Sequence, residues 1–62
     1  EGFDFQLAII YSSQGNVHRK RREFDKALEQ YSRALEIRRR RNDSRGVCFT
    51  LNSMALLQKD LE

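Results

Sequence analysis

The chain has 62 residues, 34% of them charged and 39% hydrophobic, with a net charge of +3. That allows one small domain or a piece of a larger one, too apolar for disorder and able to bury only about 60% of its unfolded surface. Its longest apolar run, Leu7 to Tyr11, is five residues, far short of the roughly 20 that span a bilayer. One cysteine and one histidine exclude an internal disulfide and supply too few ligands for a structural zinc site.

Three glycines and no proline leave few forced breaks, which points to helix. In the first segment, expected as a helix at about 4–21, Phe3, Leu7, Ile10, Tyr11, Val17 and His18 keep helical spacing. Gly15 costs about 1 kcal/mol against alanine inside a helix, so close packing of another element is expected there. The run Arg19-Lys20-Arg21-Arg22-Glu23 then interrupts the apolar stripe. A turn is the favoured reading, because four adjacent cations repel one another in a helix; one unbroken helix from about 5 to 41 is the local alternative.

The second segment, about 24–41, is the most regular. Phe24, Ala27, Leu28, Tyr31, Ala34 and Leu35 form one stripe, with Glu23 and Asp25 at its start and Arg38 to Arg41 at its end, as the helix dipole favours. The third, about 44–61, follows the capping residues Asn42, Asp43 and Ser44. Val47, Cys48, Leu51, Met54, Ala55 and Leu61 form its predicted stripe, with Phe49, Leu56 and Leu57 partly off it, so neighbours are expected on two sides.

Laid over one another at an offset of 40, residues 7–15 and 47–55 match in size and polarity: Leu7 with Val47, Ala8 with Cys48, Tyr11 with Leu51, Gly15 with Ala55. Recurrence of a helical unit at such a period marks a helix-pair array. The residues Tyr11-x-x-Gln14-Gly15-x-x-His18, then Ala27-x-x-x-Tyr31 and Ala34-Leu35, resemble the tetratricopeptide repeat. Gln14 and His18 replace the usual leucine and tyrosine, Arg22 stands where a turn glycine is common, and Arg39 where a proline often ends the second helix. The 40-residue period is similar to the extended repeats of the kinesin light chain and Leu-Gly-Asn groups.

The resemblance implies an all-α fold: an antiparallel helix hairpin plus a third helix beside the first, a fragment of a tetratricopeptide-type α-solenoid. It covers about residues 7–61, one full repeat and the first helix of the next. The sequence starts without methionine or a signal-peptide pattern and is expected to be an excised segment. Phe49, Leu57 and Leu61 are then expected at an open end, where self-association through unpaired helix faces would cover them.

The resemblance also implies a non-catalytic interaction scaffold that needs no cofactor. Its groove would be lined by Ile9, Ser12, Asn16 and Arg19 from the first helix and Phe49, Asn52, Leu56 and Lys59 from the third. Asn16 matches a backbone-binding asparagine of some members; Ser12 stands where the terminal-carboxylate clamp needs lysine. These residues suit a protein or peptide with acidic and apolar residues.

Eleven of the twelve basic residues lie between Arg19 and Arg45, giving that segment +6 and leaving −3 on the ends. A basic nucleic-acid binder is therefore the rival reading. Against it, both arginine runs sit at helix C-termini, Phe24 and Tyr31 belong to the core stripe, and a homeodomain's Trp and Asn signature is absent. A structural cap or self-association segment is the other rival. No nucleophile or acid–base set accompanies His18 or Cys48, and a cytoplasmic or nuclear setting is the default expectation.

Overall fold

The computed structural model describes residues 2–61. It contains three helices, α1 (Gly2–Lys20), α2 (Phe24–Arg40) and α3 (Ser44–Leu61), and no strand among the described residues. The arginine-rich stretch turns at Arg21–Arg22, and α2 runs past Arg39 to Arg40 before the second turn.

Both turns use one device. Arg22 and Asn42 take left-handed backbone conformations, with φ of 65° and 56°. At the first, the Arg22 N–H donates to the Arg19 carbonyl and the Glu23 N–H to the His18 carbonyl. At the second, Asn42 donates to Arg39 and Asp43 to Arg38. These paired bonds are the Schellman closure, which satisfies the last carbonyls of a helix and reverses the chain within three residues. Asparagine tolerates the left-handed region; arginine does so at a cost.

The capping triplet divides its work. Asn42 closes α2, and Asp43 opens α3 by accepting the Gly46 backbone N–H at 3.1 Å. Glu23 precedes α2 without capping it, because its carboxylate is taken by His18.

Short turns make neighbouring helices antiparallel, and the contacts run in opposite order along each pair. Tyr31 meets Gly15 and Asn16, whereas Arg41, ten residues later, meets Phe5. Arg38 meets Thr50, whereas Tyr31 and Ala27 share a core cluster with Leu57. The core is this last cluster, with Phe24 and Met54 packed against it. Burying Tyr31 and Leu57 fully is worth about 1.5–3 kcal/mol each. α3 packs chiefly on α2 and only slightly on α1.

The buried faces correct several expectations. On α1 the buried residues are Ala8, Ser12 and Gly15, whereas Phe3, Leu7, Ile10 and Val17 of the predicted stripe are exposed. On α2, Leu28 is exposed, and Ile37 and Arg38 join Ala27, Tyr31 and Ala34 inside. On α3 the buried set is Thr50, Ser53 and Leu57; Cys48, Leu51 and Ala55 are exposed, and the Leu61 side chain lies outside the described residues. Leu57, expected at the open end, is therefore core.

One geometric fact explains these shifts. At the 40-residue offset, buried Ala8, Ser12 and Gly15 correspond to exposed Cys48, Asn52 and Ala55. Buried Thr50, Ser53 and Leu57 correspond to exposed Ile10, Ser13 and Val17. Each of α1 and α3 carries two faces meant for neighbours, and α2 covers a different one on each.

Candidate partner-binding surface

The surface is set by how closely α1 approaches α2. Gly15 has no side chain because the Tyr31 ring occupies its place: a Cβ there would lie 2.6 Å from a ring carbon. The Tyr31 hydroxyl donates to the Asn16 side-chain carbonyl at 2.5 Å. Burial raises the Tyr31 pKa above its ordinary value, partly opposed by the Arg19 charge. At the other end of this contact, Glu23 accepts a hydrogen bond from His18 Nδ1 at 2.8 Å and so stitches α1 to the start of α2. That bond, the largest influence, holds the Glu23 carboxyl below its usual range.

α3 is held by a buried arginine. Arg38 is only 8% exposed, and its guanidinium donates to Thr50 Oγ1 at 2.6 Å while lying 5.7 Å from the Phe49 ring centre. The Thr50 hydroxyl in turn donates a hydrogen bond to the Gly46 carbonyl at 2.8 Å. Arg38 is thus a structural joint between α2 and α3, unlike the rest of the run at the C-terminus of α2. Arg39, Arg40 and Arg41 are exposed.

The structure places the eight groove candidates as follows. Ile9, Phe49, Asn52, Leu56 and Lys59 are exposed, and Arg19 is half-buried. Asn16 is half-buried and spends its carbonyl on Tyr31, leaving its amide N–H donors. Ser12 is 5% exposed and its hydroxyl oxygen has no hydrogen-bond partner. Each α1 candidate lies 40 positions before an α3 candidate, Ile9 before Phe49 through Arg19 before Lys59, so parallel α1 and α3 carry the two sets in register.

Sequence reasoning passed over Phe5 and Arg45. Phe5 sits one turn before Ile9, and Arg45 one turn before Phe49, so each shares a helix face with a candidate already named. The 40-residue offset pairs Phe5 with Arg45 and was the available signal.

Cys48 is exposed, and no group of three or more His, Cys, Asp or Glu side chains among the described residues could hold a metal ion. No helix among them is long and apolar enough to cross a membrane.

A tight helix hairpin closed over a glycine, with a third helix stacked on its second, defines a helical-repeat scaffold. The family model described as Tetratricopeptide repeat matches residues 5–40, more than half of the chain and the whole α1–α2 pair apart from α1's first turn. The chain belongs to the tetratricopeptide repeat family. No curated protein and no solved structure matches it. Repeats of this family generally mediate protein–protein interactions and are generally non-catalytic.

Proposed function

We propose that the chain is an interaction module that docks a peptide or partner helix along α1 and α3, over Ile9, Asn16, Arg19, Phe49, Asn52, Leu56 and Lys59, with Ser12 beneath. The observation that carries this reading is the shared register: at the 40-residue offset an exposed apolar side chain recurs at Ile9 and Phe49 and a cation at Arg19 and Lys59, on two parallel helices backed by α2. A surface preformed by Gly15–Tyr31 packing and the Arg38 joint spares a ligand the cost of ordering its receptor. The basic middle of the chain speeds encounter with an acidic partner. A cytoplasmic or nuclear location is part of this proposal.

Selection of binders from a random peptide library displayed on phage tests it. Enriched peptides should lose binding to Ile9→Asp and Leu56→Asp variants and keep it with Ser32→Asp on the exposed face of α2. Peptides indifferent to the first two variants, or lost with the third, would place the docking surface elsewhere.

A further inference from the structure

α3 repeats the face by which α1 meets α2 and leaves it in water. On α1, Ala8, Ser12 and Gly15 are buried and Tyr11 is half-buried. At the 40-residue offset their counterparts, Cys48, Asn52, Ala55 and Leu51, are all exposed and line one shallow depression with Phe49. No charged residue lines it. The α1–α2 contact shows how a face of this register is covered, by an antiparallel helix.

The two faces differ where α2 makes its closest approach. On α1, Gly15 leaves the space that the Tyr31 ring fills, and Asn16 accepts the Tyr31 hydroxyl. On α3 those places hold Ala55 and Leu56. A helix docked as α2 docks, with tyrosine at the same position, would meet the Ala55 Cβ where a Cβ at Gly15 would lie, 2.6 Å from a ring carbon. Its hydroxyl would be buried against a side chain that has no acceptor. An aliphatic side chain meets neither obstacle, being shorter than the ring and free to pack on Leu56. Further along, Gln58 and Lys59 stand where α1 has His18 and Arg19. An amide and an ammonium there suit an acid at the start of the incoming helix, as His18 suits Glu23.

We infer that the open face of α3 selects an antiparallel amphipathic helix with an acidic residue at its start and an aliphatic residue where α2 carries Tyr31. Ala55 and Leu56 set the choice. A second copy of the chain does not supply such a helix, because its α2 carries the tyrosine and is spent inside its own hairpin. The face shares Asn52 and Leu56 with the peptide surface proposed above but not Ile9 or Arg19, and the inference does not rest on that surface.

Two fluorescently labelled peptides with the sequence of residues 23–41, one native and one carrying Tyr31→Leu, test this by anisotropy against the 62-residue chain. The leucine peptide should bind about tenfold more tightly than the tyrosine peptide. Ala55→Gly combined with Leu56→Asn should cancel or reverse that preference. Leu56→Asn alone, which keeps the better helix former at position 55, should narrow it to about threefold. Leu51→Asp should weaken the leucine peptide about fivefold, whereas Ile9→Asp should leave it unchanged. Equal affinities, a tighter tyrosine peptide, a preference that survives both changes at 55 and 56, or no binding of either peptide overturns the inference. Loss of the leucine peptide on Ile9→Asp also overturns it, by placing that peptide in the groove, and leaves the proposed docking surface standing.

Discussion

Gly15 and Arg22 are the residues at which local preference and tertiary structure disagree. Alanine is the better helix former by about 1 kcal/mol, yet a Cβ at Gly15 meets the body of the Tyr31 ring, which is fully buried and has no room to retreat. Overpacking costs about 1–3 kcal/mol, so Gly15→Ala should destabilise the fold by about 1 kcal/mol net, read as a lower urea midpoint. A gain in stability would mean that the helices do not approach as described. Arg22 shows the reverse. Its left-handed backbone is strained for any residue with a Cβ, and its guanidinium lies 5.4 Å from the Phe24 ring centre. Arg22→Gly relieves the strain and loses that contact, and should raise stability by about 0.5 kcal/mol in thermal unfolding. The size of residue 15 was legible in the sequence as a sign of close packing. That a tyrosine ring, rather than the small residues of the second helix, fills the space was not, because spacing carries no information about which side chain turns inward.

Between elements, the joint that holds α3 to α2 is the one the sequence concealed. A run of four arginines reads as surface, but Arg38 faces α3 because its position in α2 lies one turn beyond Ala34 and two beyond Tyr31, on the buried side. Hydrogen bonds from charged groups contribute about 1.5–3 kcal/mol, so Arg38→Ala should loosen α3 by about that amount, seen as faster amide exchange in α3 than in α1 and α2. Uniform acceleration in all three helices would instead mark Arg38 as part of a core shared by all. The α1–α2 turn has its own titration. The His18 bond holds the Glu23 carboxyl below its unfolded value, so its stabilising effect is complete above that value and fades as pH falls through the carboxylate range. Glu23→Gln should flatten the acid limb of a stability–pH profile below about pH 5; an unchanged limb would show that other carboxylates set it.

At the scale of the molecule, the three-helix order and the repeat period followed from periodicity and caps, whereas the buried faces did not. A helix of an array carries apolar residues on two sides, and composition alone cannot say which side a lone neighbour covers. The predicted stripes of α1 and α3 therefore included Ile10, Val17 and Leu51, which the structure leaves in water. Those exposed faces should produce reversible, concentration-dependent association in sedimentation equilibrium, weakened by Val17→Asp and Leu51→Asp; a strict monomer over tens of micromolar would show that the faces are inert.

The account as a whole depends on α1 and α3 acting as a single surface with α2 behind them. Titrating an isotope-labelled chain with a library-selected peptide and following backbone amide shifts tests this residue by residue. The expected result is saturable shifts at Ile9, Asn16, Phe49, Asn52 and Leu56, on both helices with one shared midpoint, while Glu29, Ser32 and Arg33 stay still. Shifts confined to α2's outer face, or separate midpoints for α1 and α3, would contradict it.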